Sequence, residues 1–106
     1  MALNQVLVLT TPTRVCRVVE QTRGEAKTCL VANSTEAGIV CTMWATPAGT
    51  DTPGDVNLIV SGLEIPTGQT LDLLQGLGLL SLVGGEALWV QGASLGLSAT
   101  VCLNRV

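Results

Sequence analysis

The sequence predicts an all-β protein: a single antiparallel β-sandwich of jelly-roll or immunoglobulin-like type, with about eight short strands. Short runs of β-branched or alternating apolar residues recur along the chain, and each is bounded by Gly, Pro, Asn or Asp. In the first half of the chain, no apolar pattern with the period of a helix reaches a useful length. With 106 residues the chain has the length of one domain, so residues 1–106 are expected to share one core.

Eight runs along the chain have strand character. Their residues fit a pleated, half-buried surface, and turn residues separate them at regular intervals, as in sandwiches and barrels. From this pattern we expect at least about 40% strand and less than about 10% helix. The runs are Gln5–Thr10, Arg14–Glu20, Lys27–Asn33, Gly38–Thr46, Val56–Val60, Gln69–Leu74, Glu86–Gly92 and Leu97–Arg105.

Two short connections are predicted to be hairpins. Glu20–Ala26 joins the second and third runs, and Asn33–Gly38 joins the third and fourth. The first hairpin would carry four of the five basic residues mixed with glutamates, which indicates a solvated surface rather than a binding patch. Those basic residues are Arg14, Arg17, Arg23 and Lys27.

A long loop follows the fourth run. Thr46–Asp55 contains two prolines and two glycines, so we predict an irregular, exposed segment, and exposed loops often carry contacts. Two of its acids offer an alternative as a cation site, but calcium normally takes about six or more oxygens, which favours a solvated loop. The candidate contact residues are Pro47, Asp51, Pro53 and Asp55.

The leucine-rich segment Leu71–Val83 leaves two alternatives open. Its leucines are dense enough for a helix, and a helix over Leu71–Leu80 is the second interpretation. Its two internal glycines each cost about 1 kcal/mol inside a helix. This cost favours a strand that ends near Leu74, an irregular crossing, and a short strand near Leu79–Val83.

The composition argues against an enzyme. The chain has no His, Tyr or Phe, and 12% of its residues are charged, against about 25% in an average soluble domain. Without a histidine, no base is available to activate the many serines and threonines, so no catalytic, cofactor-binding or metal-binding residue is predicted. The net charge of −3 makes nucleic acid an unexpected partner.

No targeting or membrane segment is predicted. The start of the sequence lacks the basic region of a signal peptide. The longest uncharged stretch, Ala87–Asn104, contains glycines and polar residues rather than the continuous apolar run that a bilayer requires. We therefore expect a protein made in the cytoplasm, with no membrane partner.

The four cysteines are expected to be reduced thiols. They form no C-x-x-C motif, and no histidine is present to complete a mixed zinc site. Cys16 and Cys29 are symmetric about the first predicted hairpin, and Cys29 and Cys41 about the second, which would align three thiols across three adjacent strands. A packed row of thiols is the favoured interpretation and a thiolate metal site is the alternative. Cys102 stands apart from this row.

Trp44 and Trp89 are the two aromatic residues of the chain. In the segment Glu86–Gly92, Trp89 alternates with Leu88 and Val90 and so lies on the opposite face of the strand. Either Trp89 is covered by a loop, or it lies at a subunit contact, where tryptophan is enriched among energetic anchors. Both tryptophans are candidate contact residues. In the second case Trp89→Ala is expected to weaken oligomerisation and leave the strands intact.

An ordered set of features fills residues 56–106. A Pro/Gly turn leads to Gly68-Gln69-Thr70-Leu71, then come a leucine-rich crossing, the turn Gly85-Glu86-Ala87-Leu88 and a final alternating strand, Leu97–Leu103. This layout resembles that of small β-sandwich proteins encoded among the virion genes of tailed bacteriophages. The resemblance implies a structural protein of the particle, and it carries no catalytic residues.

The resemblance and the composition lead to three expectations of function. The first is a capsid decoration or cement protein in the virion, assembled in the host cytoplasm as a homotrimer, with the major capsid protein as its partner on the outside of the head. The second is a head–tail, tail or spike-base component. The third is a small-molecule or glycan-binding sandwich, for which only Trp44 and Trp89 offer aromatic surface.

Overall fold

The computed structural model describes residues 2–19, 22–75 and 80–105 of the chain. Strands contain 61 of the described residues, which confirms the predicted all-β sandwich. A short 3₁₀ turn, Asp55–Asn57, precedes the fifth strand. The strands in the described part of the chain are β1 (Ala2–Val8), β2 (Thr13–Arg17), β3 (Arg23–Asn33), β4 (Ile39–Thr46), β5 (Leu58–Ile65), β6 (Thr70–Asp72), β7 (Leu80–Val83), β8 (Ala87–Gly92) and β9 (Leu97–Arg105).

The strands form two antiparallel sheets packed face to face. One sheet has the order β1-β9-β3-β6, with β7 also paired to β3, and the other has the order β2-β8-β4-β5. β6 and β7 share one position because they pair with opposite ends of the long strand β3. Most consecutive strands therefore lie in different sheets. This strand order is that of a jelly roll, one of the two topologies expected.

Both predicted hairpins are wrong. β2 pairs with β8 and β3 pairs with β9, so the connections after β2 and β3 carry the chain from one sheet to the other. A crossing uses the same turn residues as a hairpin, and the partner of each strand comes from a distant part of the sequence. The basic residues are consequently divided between two sheets, two on β2 and two on β3. Glu20 and Gln21 lie outside the described residues.

The leucine-rich segment contains two short strands. β6 ends at Asp72 and β7 begins at Leu80. The helix alternative over Leu71–Leu80 is wrong, because both of its ends lie in strands that pair with β3. Gly76 and Gly78, which would have interrupted that helix, lie outside the described residues.

The core lies between the sheets and consists of aliphatic side chains and thiols. β8 is buried on both of its faces, with Leu88 and Val90 in the main core, and Ala87 and Trp89 in a separate outer cluster. The aliphatic pair thus lies on the inner side of the strand and Trp89 on the outer side. Large side chains that are almost fully buried are Val8, Val31, Met43, Ile65, Leu74, Leu88, Val90, Leu97 and Val101.

One buried amide side chain joins several connections at one end of the sandwich. Asn33, at the end of β3, is 2% exposed. Its Nδ2 donates to the carbonyl oxygens of Ala37 (2.8 Å) and Ile65 (2.9 Å), and its Oδ1 accepts from the backbone N–H (2.9 Å) and hydroxyl (2.7 Å) of Thr35. Both amide donors and the acceptor are therefore satisfied, and the segment after β3 is tied to the end of β5.

The backbone of Asn33 extends this network to the turn between β5 and β6. Its N–H donates to the carbonyl oxygen of Gln69 and its own carbonyl accepts from the N–H of Gly68, both at 2.9 Å. Gly68 has a φ of +71°, a left-handed conformation that glycine adopts without steric cost. The hydroxyl of Thr67 also donates to the carbonyl of Thr35. The sequence Asn33-Ser34-Thr35 thus builds the connection after β3, with its amide inside the protein.

Asn33→Ala is expected to lower the free energy of unfolding by roughly 3 kcal/mol, because the carbonyl of Ile65 and the N–H of Thr35 lose their amide partner, and each buried unsatisfied group costs about 1–3 kcal/mol. The carbonyl of Ala37 keeps the hydroxyl of Thr35 as a donor. Asn104→Ala, at a half-buried position on β9, is the matched control and is expected to change the free energy of unfolding by less than about 0.5 kcal/mol. Chemical denaturation followed by circular dichroism measures both. Equal effects of the two substitutions would contradict the role given to the Asn33 network.

Candidate functional site

Trp44 and Trp89 lie side by side on the outer face of the sheet β2-β8-β4-β5. They are directly opposite each other on β4 and β8, and with Ala87 they form a cluster separate from the main core. The indole N–H of Trp89 donates to Oγ1 of Thr46 at 2.9 Å. Each tryptophan is 9% exposed, so the single chain offers little of either ring to a second subunit. Their role as subunit contacts stays a prediction.

The loop between β4 and β5 folds back toward this face. Nη2 of Arg17, on β2, donates to the carbonyl oxygen of Thr50 at 3.2 Å, and Arg17 lies opposite Ala87. Ala48 packs so closely on Gly85 that a Cβ added at Gly85 would lie 2.7 Å from the Ala48 Cβ. These two contacts anchor the loop beside the end of the outer face at which Ala87 lies.

The candidate contact residues of this loop are largely on its solvent side. Pro47, Asp51 and Asp55 are exposed, and Pro53 is half-buried. Val56, which follows Asp55, is 96% exposed. The structure thus brings the predicted contact loop and the two predicted contact tryptophans to the same face of one sheet. The contact role of the loop also stays a prediction.

The three thiols expected in a row are divided between the two sheets. Cys16 on β2 and Cys41 on β4 belong to one sheet, separated by β8, and Cys29 on β3 belongs to the other. The prediction of three adjacent strands is therefore wrong, although all three side chains are buried in the core. Within residues 2–19, 22–75 and 80–105, no three His, Cys, Asp or Glu side chains form a group that could hold a metal ion.

The buried thiols are held in their neutral form. Burial raises the pKa of the Cys29 thiol from 9.0 to about 12, helped by the charges of Cys16, Asp72 and Cys41. Burial also raises the pKa of Cys41 to about 11, and it raises the pKa of Cys16 against an opposing hydrogen bond with the backbone of Leu88. Because the thiolate is the nucleophile and the metal ligand, these side chains have structural rather than chemical roles at neutral pH.

The outer face of the sheet β1-β9-β3 carries uncharged side chains along β1, along β9 and on the Thr28–Ala32 part of β3, while Arg23, Glu25 and Lys27 lie at the other end of β3. Ser98, Thr100 and Cys102 alternate with buried residues along β9, and neighbouring side chains from β1 and β3 continue the same rows. We call this surface the uncharged face. It comprises Gln5, Leu7, Thr28, Leu30, Ala32, Ser98, Thr100 and Cys102. The alternation in the last strand was visible in the sequence, but the rows across three strands depend on the sheet order.

Two shallow depressions lie outside these features. A groove of about 360 Å³ runs along the uncharged face and is lined by β1 and β9, including Gln5, Leu7, Ser98 and Thr100. A cleft of about 370 Å³ opens between the edge strands β5 and β6. Its lining is mainly apolar, with Asp72 and Gln75 as its polar residues. Oδ1 of that aspartate is occupied by the N–H groups of Cys29 and Leu74, both at 3.0 Å.

Comparison of the chain with protein-family models, curated proteins and solved structures gives no match. The resemblance to phage virion proteins therefore stays a prediction. Among the described residues, no helix has the length and apolar character needed to cross a bilayer.

The buried thiols predict that the protein loses stability above about pH 9. In the unfolded chain the thiols ionise near 9.0, whereas Cys29 and Cys41 stay protonated in the folded protein up to about 12 and about 11. Between these values the unfolded state binds fewer protons, so the free energy of unfolding falls by up to about 1.4 kcal/mol per pH unit for each thiol. Chemical denaturation at pH 8, 9 and 10 measures this slope. A Cys29→Ala variant with an unchanged slope would contradict the assignment.

The contact between Gly85 and Ala48 predicts different effects at two glycines with similar backbone conformations. Gly85 and Gly49 have φ values of +89° and +84°, so alanine pays about 1–2 kcal/mol at either position. Only at Gly85 does the new Cβ also collide with the loop, because nothing lies within 4 Å of a Cβ at Gly49. Gly85→Ala is expected to destabilise more and to shift tryptophan emission to longer wavelength, with Gly49→Ala as the matched control. Identical emission spectra would contradict the loop packing.

Proposed function

We propose that this chain is a non-enzymatic structural subunit of a tailed-phage virion, a decoration or cement protein that binds the outside of the head and stabilises it. Its partners are other copies of itself, as a homotrimer, and the major capsid protein. The observation that carries the proposal is the uncharged face. Surfaces with few charges suit contacts between proteins, because charged residues are depleted at the centres of interfaces.

The two outer faces of the sandwich differ in a way that supports an assembly role. The loop after β4 is anchored beside the outer side of the four-stranded sheet, where Trp44 and Trp89 are each 9% exposed. Among the described residues, no loop of this kind lies against the uncharged face. On that face Leu7 is 63% exposed and Leu30 is 40% exposed. The protein's own loop thus lies beside one end of the first face, although Val40 on that face is 40% exposed, and no such loop lies beside the uncharged face among the described residues.

The fold agrees with this proposal by analogy. Jelly rolls form many viral capsid domains, but they also occur in lectins and cupins, so the fold alone does not assign a function. A glycan-binding role leans on exposed aromatic rings, and both indoles of this chain are largely covered. The buried thiols and the absence of histidine from the sequence leave little for acid–base or nucleophilic catalysis.

The copy number of the chain in purified particles tests the proposal. Particles from cells that encode this chain are purified by density gradient, and the chain is quantified by mass spectrometry against the most abundant capsid protein. A decoration protein is expected at a number comparable to that of the capsid protein, and in particles with DNA-filled heads. A far smaller copy number per particle would instead indicate a head–tail, tail or spike-base component. Absence from every particle would overturn it.

A further inference from the structure

β1 lacks the features that protect the other sheet edges of this molecule. Natural sheets protect their edges from pairing with other strands through charges, prolines, bulges or short strands. β2 carries two arginines and a register shift, and β5 carries Glu64 and two register shifts. β6 and β7 have only three and four residues. β1 has no charge and no register shift, and it is longer than β6 and β7.

The edge strand β1 is long, regular and uncharged. It has seven residues, ALNQVLV, with neither charge nor proline. Its register with β9 is unbroken from Ala2, opposite Leu103, to Val8, opposite Leu97. Within the described residues, β9 is the one strand that pairs with it. At about 3.4 Å per residue, β1 offers an edge of roughly 24 Å for a further strand.

The sequence of β1 has no charge that opposes pairing with a second copy about its central residue. An antiparallel pair of β1 strands centred on Gln5 brings no like charges together, although each chain carries a net charge of −3. Leu7, which is 63% exposed, would lie opposite a leucine position of the second copy. The pairs across the axis are Gln5 with Gln5, Asn4 with Val6, and Leu3 with Leu7.

The uncharged face continues up to this edge. Gln5 and Leu7 share it with Thr100 and Ser98, their respective neighbours on β9. The shallow groove of about 360 Å³ lies over these two strands on the same face. A twofold pair would therefore extend one uncharged surface across two subunits, as a self-complementary contact requires.

We propose that β1 pairs antiparallel with β1 of a second copy of this chain, about a twofold axis at Gln5, so that the two five-stranded sheets become one continuous sheet. The inference rests on the proposed assembly role and names the contact through which copies of the subunit associate. It is a twofold contact, and therefore distinct from the contacts that a homotrimer would need.

Gln5→Lys tests the proposal, with Ser98→Lys as the matched control. Both positions are exposed on the same face, but only the first lies on the edge strand, where two ammonium groups would meet at the axis. The molar mass of the full chain is measured by light scattering across a concentration series. For the wild type and for Ser98→Lys we expect an oligomer with an even number of chains, a pair of chains or a pair of trimers. For Gln5→Lys we expect the dissociation constant of this twofold contact to rise by roughly tenfold or more.

Several results would overturn the proposal. A wild-type chain that stays monomeric at all concentrations would do so, as would a trimer that Gln5→Lys leaves unchanged. Loss of association in Ser98→Lys, with Gln5→Lys unaffected, would show that copies pack through the uncharged face rather than through the edge. Circular dichroism of each variant shows whether the fold is retained.

A disulfide crosslink tests the same contact without adding a charge that could disturb the fold. In a Cys102→Ser background, Gln5→Cys is expected to form a disulfide-linked dimer on mild oxidation, and Ser98→Cys to remain uncrosslinked. Failure of Gln5→Cys to crosslink in a folded protein overturns the edge contact.

If the dimer forms but the chain is absent from particles, the assembly role fails while the edge contact stands. If particles contain the chain but Gln5→Lys binds them as a wild-type oligomer, only the edge contact fails.

Discussion

The buried side chain of Asn33 is the interaction on which the connections at one end of the sandwich depend. It binds the segment after β3 and the end of β5, while its backbone binds the turn before β6. The segment from β8 to β9 joins the same region, since the N–H of Ser34 donates to the carbonyl of Gly96 at 3.5 Å. In a chain with two aromatic residues, side-chain volume alone specifies these crossings weakly. The Asn33 amide is costly to leave without hydrogen bonds, so it favours the one arrangement of these crossings in which all of its hydrogen bonds form.

In the jelly-roll order, the two outer faces of the sandwich have different surroundings. The long connection between β4 and β5 stays on one sheet, and its contacts with Arg17 and Gly85 hold it beside the outer cluster of Trp44, Ala87 and Trp89. The opposite sheet ends in β1, and its rows of Ser, Thr and Ala have no such cover among the described residues. A low content of charged residues has little effect in the core, but on this face it leaves the uncharged surface on which the proposed assembly role rests.

The same composition leaves the chain without histidine and with few charged side chains. The side chains most able to act as nucleophiles are thiols, and three of the four are inside the core, where desolvation keeps them protonated. The acid nearest to them, Asp72, accepts two backbone hydrogen bonds and acts as a structural cap between β6 and the following turn. The accessible groups include the backbone at the β1 edge and the neutral side chains beside it, together with charged side chains such as Lys27 and Asp51.

The sequence by itself determined the all-β class, the position of most strands and turns, and the burial of the thiols, because strand periodicity, turn chemistry and the polarity of side chains are local properties. The tertiary structure alone decided which strands pair. The residues Asn33–Gly38 fit a hairpin and a crossing between sheets equally well. The pairing of β3 with β9 and of β4 with β8 depends on strands that are far apart in the chain. That pairing divided Cys16 and Cys29 between two sheets, set Trp89 next to Trp44 on an outer face, and left β1 at an edge. Strand partners lie far apart in the chain, so no local pattern encodes them.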